Sequence, residues 1–185
     1  MQRDLVALAR EGDHDAFSEL AAASISRLYG VARVIVGDRE RAEDAVQDAL
    51  LLAWRDIAGL RDIERFDAWL YRLVIRACYR HAGRARTRSV AELRLLPEDE
   101  YESPGVESAV VERDRIDRGF RRLAPDQRAV LVLHHHLGLG LLEVADILNI
   151  PVGTVKSRLF RAIQTIRSAI EADDREPVIA KGQSA

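Results

Sequence analysis

Apolar residues recur every three or four positions through most of the chain, with charged and polar residues between them. This is the period of amphipathic helices that each bury one face, so the pattern predicts an all-α fold. Glycine, proline and aspartate residues at the ends of the apolar runs mark the helix boundaries. The predicted helices span residues 3–11, 14–36, 39–58, 66–84, 110–123 and 126–136, with two more after residue 140.

The stretch that begins at Gly140 has the pattern of a helix-turn-helix. Gly140 can cap a short helix with Glu143 at its third position, and Asn149 and Pro151 favour a tight turn before a longer helix. Apolar residues gather on one side of this longer helix, and residues 154–170 contain four basic side chains and no acidic one. Such a helix suits the major groove of DNA, although an ordinary solvated surface helix is the plainer interpretation.

The formal net charge of -2 is unevenly distributed along the chain. Residues 61–88 carry eight basic and three acidic side chains, and residues 154–170 form a second basic block. Between these blocks, residues 89–118 carry four basic and nine acidic side chains. Two separate surfaces that each bind phosphates would give this distribution, because every contact releases counterions locally.

Arginines and aromatic residues are interleaved in the predicted helix that begins at Phe66. No acidic residue opposes these arginines between Asp67 and residue 88. This combination suits single-stranded nucleic acid, because guanidinium groups bind phosphates while aromatic rings stack on bases. Core packing is an alternative explanation for Trp69 and also for Tyr71.

Residues 89–112 contain acidic residues, prolines and glycine with little apolar periodicity, which predicts a flexible acidic linker. The linker joins two small helical domains, and the second of them contains the helix-turn-helix. The predicted domains span residues 1–88 and 113–172, and residues 173–185 are predicted to be a disordered tail.

Several classes of function have no support in the sequence. The single cysteine, Cys78, excludes an internal disulfide and a cysteine-cluster metal site, and three consecutive histidines on a helix cannot converge on one ion. No signature of a nucleophile, a phosphate-cradling loop or clustered carboxylates is present, so we expect no enzyme, metal or cofactor. No apolar run spans a membrane and no signal peptide is recognisable, which predicts a cytoplasmic protein without membrane insertion.

Three motifs together resemble bacterial RNA polymerase sigma factors of the extracytoplasmic-function type. They are AEDAVQDALLLAW at 42–54, FDAWLYRL at 66–73 and GLLEVADILNIPVGTVKSRLFRA at 140–162. The resemblance covers about residues 5–88 and 110–170, in the order and spacing of that family. It implies a protein that binds core RNA polymerase and promoter DNA, directs the polymerase to specific promoters and helps to melt the DNA.

The resemblance also implies roles for particular residues. It implies polymerase contacts at Asp44, Gln47, Asp48 and Leu51. It implies contacts with the single strand of the minus-ten element at Arg61, Trp69, Tyr71, Arg72, Arg76, Arg80, Arg84 and Arg86. It implies contacts with the minus-thirty-five element at Thr154, Lys156, Ser157, Arg158, Phe160 and Arg161.

Two positions depart from the family's usual pattern. Arg76 stands where the family often has an asparagine that shapes the minus-ten pocket, and Gly140 replaces a common serine or threonine cap. The resemblance further implies control by a separate anti-sigma factor. The alternative function is a stand-alone helix-turn-helix regulator that binds duplex DNA.

Overall fold

The computed structural model describes residues 1–91 and 119–175, and in these residues it contains helices and no strand. The all-α prediction is therefore confirmed. The helices are α1 Gln2–Arg10, α2 His14–Val36, α3 Arg39–Asp56, α4 Phe66–Ala91, α5 Pro125–Leu131, α6 Leu141–Leu148 and α7 Val152–Arg175. None of the helices in these described stretches is both long enough and apolar enough to cross a membrane.

Side-chain caps explain where α2 and α3 begin, and a glycine explains where α2 ends. The Asp13 carboxylate accepts a hydrogen bond of 2.9 Å from the backbone N–H of Ala16, and Asp38 accepts one of 2.8 Å from the backbone N–H of Arg41 at the start of α3. Both bonds satisfy N–H groups that the first turn of a helix leaves without a partner. Gly37 ends α2 in the left-handed region with φ 73°, as its predicted position after the helix requires.

Several boundaries differ from the predicted ones. The helix α3 ends at Asp56 and continues as a 3-10 turn, Ile57–Gly59, whereas α4 continues to Ala91, beyond the predicted end at residue 84. The predicted helix 126–136 divides into α5 and a π-helical turn, Val132–His136. The last helix, α7, reaches Arg175, inside the predicted tail.

The remainder of the predicted tail, 176–185, lies outside the described residues. The predicted linker, 89–112, lies there also, apart from its first three residues, which continue α4. Most of the predicted helix 110–123 is likewise outside, and its last part appears as a helical turn at 119–121.

The first half of the molecule, residues 1–91, packs α1 to α4 around apolar side chains such as Leu28, Val31 and Val74, which are almost completely buried. The second half, residues 119–175, adds Leu133 and Ile147 to the same continuous apolar core. Leu123, Leu131 and Ala162 form a separate small cluster within the second half. The two halves therefore share a core in this structure, an arrangement that the sequence alone left open.

Candidate nucleic-acid and polymerase interfaces

The helix-turn-helix has the geometry that its sequence predicts. The backbone N–H of Gly140 donates a 2.7 Å hydrogen bond to Oε2 of Glu143, which forms half of a capping box at the start of α6. Asn149 ends α6 in the left-handed region, with φ 54° and ψ 50°. Pro151 follows, and α7 begins at the next residue. The turn places α7 across α6 in the position of a recognition helix.

One side of α7 is buried and the other is exposed. Val155 and Ala162 are completely buried, whereas Lys156, Phe160 and Arg161 are exposed. Phe160 is a large apolar side chain, yet it remains 64% exposed. Two cations beside an exposed ring form a surface suited to phosphates and base edges in a groove.

Two further predicted contact residues, Thr154 and Ser157, lie at the edge of this exposed face. Both are half-buried, and the Ser157 hydroxyl donates a 3.0 Å hydrogen bond to the carbonyl oxygen of Thr154. This bond ties the serine to the first turn of α7. The hydroxyl oxygen keeps its lone pairs available as an acceptor.

Arg158 differs from the other predicted contacts on α7. Its Nε lies 3.1 Å from Oδ2 of Asp126 on α5, and its side chain is only 26% exposed. The ion pair directs this guanidinium towards the neighbouring helix α5. The contact with DNA predicted for Arg158 stays a prediction, while its contact within the protein is clear.

On α4, Arg72 is held by the second half of the molecule. Its Nη2 donates a 2.9 Å hydrogen bond to the carbonyl oxygen of Asp146, and its Nε donates a 3.3 Å bond to that of Ile147. The Asp146 carboxylate lies 3.7 Å from the same Nη2 and also pairs with Arg65. The end of α6 thus surrounds Arg72 with oxygen atoms.

The aromatic residues that are predicted to contact the single strand are buried or half-buried in the protein. Tyr71 is only 7% exposed, and burial raises the pKa of its hydroxyl. Trp69 is half-buried and lies against Phe66, with ring centroids 6.0 Å apart. In contrast, Arg61, Arg76 and Arg80 are exposed. The side chains of Arg84 and Arg86 lie outside the part of α4 whose side chains are described.

The predicted polymerase contacts form a stripe on α3. Asp44 and Gln47 are exposed, and Leu51, one turn further, is 64% exposed. Trp54 continues the stripe and is 36% exposed, although sequence reasoning did not select it. Its spacing of three residues from Leu51 is the signal that could have identified it.

Asp48 lies beside this stripe and faces α4. Its Oδ2 lies 3.0 Å from Nε2 of His81 and 3.4 Å from Nη2 of Arg80. The hydrogen bond with His81 lowers the pKa of Asp48, and the bond with Arg80 acts in the same direction. Asp48 therefore belongs to a network that links the α3 and α4 surfaces.

Sequence reasoning missed Arg65, Asp146 and Arg128, which connect the two halves. The guanidinium of Arg128 donates hydrogen bonds of 3.0 Å to the carbonyl oxygen of Phe120, 3.1 Å to that of Arg121 and 3.3 Å to that of Ile35. No local pattern marks these residues, because Arg65 and Asp146 are 81 positions apart and Arg128 and Ile35 are 93 apart.

The described residues contain no group of three histidine, cysteine, aspartate or glutamate side chains placed to hold a metal ion. In the histidine run, Nδ1 of His134 lies 2.7 Å from the carbonyl oxygen of Leu139, which gives this ring a structural partner. Cys78 is completely buried, and desolvation raises the pKa of its thiol to about 12. His134 and Cys78 thus both lie in contacts within the protein: a hydrogen bond for the histidine and the apolar core for the cysteine.

Two stretches of the chain match known protein families. Residues 20–88 match the family described as Sigma-70 region 2, and residues 113–166 match the family described as Sigma-70, region 4. Full-length relatives decide the assignment. RNA polymerase sigma-H factor of Pseudomonas aeruginosa is 31% identical over 189 residues, which covers 94% of this chain and 96% of that protein.

The chain belongs to the sigma-70 family. Within it, the chain is one of the extracytoplasmic-function sigma factors: SigM of Mycobacterium tuberculosis, a protein of that type, is 33% identical over 86% of this chain and 79% of that protein. Members of this family are regulatory factors of transcription initiation.

Solved structures agree with this assignment. The sigma factor is similar to CnrH in complex with the cytosolic domain of CnrY, with 25% identity, a TM-score of 0.67 and coverage of 93% of this chain and 98% of that one. Its fold also matches that of the sigma factor RpoE from Bartonella quintana, with 23% identity, a TM-score of 0.63 and coverage of 85% of this chain and 98% of that one.

Proposed function

We propose that this sigma factor binds core RNA polymerase, directs it to specific promoters and helps to melt the promoter DNA. The observation that carries the proposal is the exposed face of α7, where Lys156, Phe160 and Arg161 project from a helix-turn-helix. A groove-reading helix in a chain that also contains the region 2 match fits a promoter-specificity subunit better than an isolated DNA-binding module. The proposed domains are 1–88 and 113–172, joined by 89–112.

In this proposal α7 reads the minus-thirty-five element in the major groove. Lys156 and Arg161 bind phosphates or guanine edges, and Phe160 contacts thymine methyl groups. Thr154 and Ser157 supply hydroxyls at the edge of the same face. Arg158 completes the set of proposed contacts, and its pair with Asp126 sets the position from which it acts.

The first half supplies the other two proposed surfaces. The stripe formed by Asp44, Gln47 and Leu51 on α3, with Asp48 beside it, docks on the polymerase through carboxylate contacts and one apolar side chain. The surface along α4 binds the single strand of the minus-ten element through its arginines. The proposed residues of this surface are Arg61, Trp69, Tyr71, Arg72, Arg76, Arg80, Arg84 and Arg86.

We also propose regulation by an anti-sigma factor. The sigma factor RpoE from Bartonella quintana, whose fold this chain shares, was solved in complex with the anti-sigma factor NepR. A similar partner that covers the polymerase-binding or DNA-binding surfaces would keep this sigma factor inactive. A cytoplasmic location is part of the proposal, because bacterial RNA polymerase works there.

Binding to core RNA polymerase tests the proposal, because a stand-alone regulator of duplex DNA has no need of it. We expect the fluorescently labelled protein to form a saturable complex with core polymerase. Leu51→Asp should weaken this complex at least tenfold, because it places a charge in the apolar centre of the contact. Saturable binding by neither the wild type nor any variant would refute the proposal.

Ile25→Asp is the matched control. Ile25 is a large apolar residue on α2 that is 47% exposed, and it has no proposed contact with the polymerase. We expect its complex with core polymerase to have the affinity of the wild type. An equal loss in both variants would show that the effect of Leu51→Asp does not come from a specific docking stripe.

A further inference from the structure

The contact between Arg72 and the end of α6 joins two surfaces with different proposed tasks. Arg72 belongs to the proposed minus-ten surface, while α6 is the first helix of the helix-turn-helix. Nη2 and Nε of Arg72 donate hydrogen bonds of 2.9 and 3.3 Å to two carbonyl groups in the last turn of α6, those of Asp146 and Ile147. Arg65 pairs with Oδ2 of Asp146, the same oxygen that lies nearest to Arg72.

The chemistry of this contact is that of a phosphate site. The carbonyl groups in the last turn of a helix lack the usual partner four residues on and carry the negative end of the helix dipole. The carbonyl oxygen of Asp146 accepts a hydrogen bond of 3.1 Å from the backbone N–H of Asn149 and uses its second lone pair for Arg72. The Asp146 carboxylate adds a full negative charge 3.7 Å from Nη2 of Arg72. A guanidinium surrounded by several oxygen atoms and a negative charge has the environment that a nucleic-acid phosphate would give it.

We propose that the C-terminal end of α6 occupies the phosphate-binding position of Arg72 in the free protein, so that the second half competes with the promoter strand for the first half. This inference rests on the proposed function of α4 as a single-strand surface. The α6 carbonyls take the N–H of Nε and one N–H of Nη2, so a phosphate that binds this same edge of the guanidinium competes with α6. Binding of a strand phosphate at this edge of Arg72 therefore requires α6 to leave.

A second arginine makes the reciprocal contact. Arg128 on α5, in the second half, donates a 3.3 Å hydrogen bond through Nη1 to the carbonyl oxygen of Ile35, near the end of α2 in the first half. Each half thus provides an arginine for the end of a helix in the other. Val130 and Ile147 also join the apolar core of the first half. Several independent contacts therefore favour the closed arrangement, in which the two halves are packed together.

The closed arrangement affects the two DNA surfaces unequally. Lys156, Phe160 and Arg161 on α7 stay exposed, while Arg72 is occupied. The free protein is therefore able to present its duplex-reading face but not its full single-strand face. Polymerase binding, by separating the halves, would release Arg72 at the place where the melted strand appears.

The test measures the distance between the halves and the binding of single-stranded DNA with the same variants. Donor and acceptor dyes are attached at Ser18→Cys on α2 and Ser168→Cys on α7 in a Cys78→Ala background, because these two serines are exposed. Single-molecule energy transfer then gives the open fraction. Binding of a fluorescent oligothymidylate by the unlabelled chain gives the apparent affinity for single strands.

Asp146→Asn removes the carboxylate that both Arg65 and Arg72 contact. We expect the open fraction to rise by about three- to fivefold, as the loss of a partly exposed ion-pair network allows. The affinity for oligothymidylate should rise by the same factor, because a ligand of the open form gains in proportion to its population. Equal changes in two independent measurements are the specific signature of competition.

Asp126→Asn is the control for charge. Asp126 and Asp146 have the same side-chain exposure of 40%, and each pairs with an arginine, but the partner of Asp126, Arg158, lies in the same half. Both variants change the net charge equally. We expect Asp126→Asn to leave the open fraction and the affinity for oligothymidylate at the wild-type values.

Arg65→Gln opens the same contact from the other half, and Arg65 is not among the proposed DNA contacts. Its open fraction should also rise, which keeps the test decisive if Asp146→Asn disturbs the fold of α6. If energy transfer in Asp146→Asn and Arg65→Gln equals that in Asp126→Asn, the contact of Arg65 and Arg72 with α6 does not hold the two halves together, and the proposal is wrong. If the open fraction rises without a gain in affinity for oligothymidylate, α6 does not compete with the strand for Arg72. Neither result depends on whether the chain binds polymerase.

Discussion

The two proposed DNA surfaces are built differently. On α7, the cationic side chains of Lys156 and Arg161 are exposed, and their neighbours Val155 and Ala162 are completely buried. On α4, Tyr71 is buried and Arg72 is bound to the end of α6. One surface is ready for a ligand in the free protein, and the other is partly occupied by the protein itself.

The difference follows from how many neighbours each helix has. The helix α7 packs mainly against α5 and α6 of its own half, and Lys156, Phe160 and Arg161 stay exposed. The helix α4 packs against α2 and α3 and also meets α6 from the other half. A helix covered from several directions has no single outer face, and its polar residues bind partners from distant parts of the chain.

The largest effect is expected on the exposed surface of α7. Arg161→Ala should reduce transcription from promoters that depend on the minus-thirty-five element by about five- to 150-fold, which corresponds to roughly 1–3 kcal/mol for one lost base or phosphate contact. Arg167→Ala, an exposed arginine on the same helix, is the control and should have little effect. Equal losses would mean that α7 contributes charge without reading a sequence.

A smaller effect is expected at Arg158, which sharpens the contrast within α7. Its pair with Asp126 is a contact within the protein, so Arg158→Gln should lower the free energy of unfolding of the protein by up to about 1 kcal/mol. Denaturation of the single variants and the double variant with Asp126→Asn measures the coupling. Strictly additive losses would contradict a direct interaction.

A pH-dependent effect is expected where the α3 and α4 surfaces meet. The hydrogen bond with His81 lowers the pKa of Asp48 below its value in the unfolded chain. A carboxyl group with a lowered pKa stabilises the fold above its unfolded pKa of about 3.9, and this contribution disappears as the pH falls through the folded value.

The stability difference between the wild type and Asp48→Asn should therefore be present at about pH 6 and shrink below about pH 4. Denaturation curves across this range provide the measurement. A difference that stays constant down to about pH 2 would show that the carboxylate of Asp48 does not gain stability from its partners.

The smallest effect is expected at Tyr71, on the occupied surface. Because its side chain is almost completely buried, Tyr71→Phe should change the affinity for oligothymidylate less than about twofold. Fluorescence anisotropy with the two proteins tests this. A loss of about tenfold would show that the hydroxyl, and not only the ring, contacts the strand after the halves separate.

Local patterns predicted the parts of the structure that local chemistry determines. Gly37 ends one helix and Asp38 begins the next as expected, and Gly140 and Glu143 form the expected half of a capping box. The exposed face of α7 followed directly from its apolar period. These features depend on residues within one or two helical turns of each other.

The parts that could not be predicted depend on contacts between distant residues. The position of Arg72 is determined by carbonyl groups about 75 residues away, and the buried state of Tyr71 by helices that pack around α4. The π-helical turn after Leu131 likewise interrupts a stretch whose sequence predicts one continuous helix. Periodicity alone contains no information about which exposed face another domain will cover.

Run-off transcription with core RNA polymerase, in the presence and absence of this sigma factor, tests the central claim most directly. The templates are genomic fragments that include the region upstream of its own gene. We predict defined transcripts only when the protein is present, with start sites that reveal a minus-ten and a minus-thirty-five element. Absence of transcripts and of polymerase binding, together with tight binding to duplex DNA by the protein alone, would contradict the account and favour a stand-alone regulator.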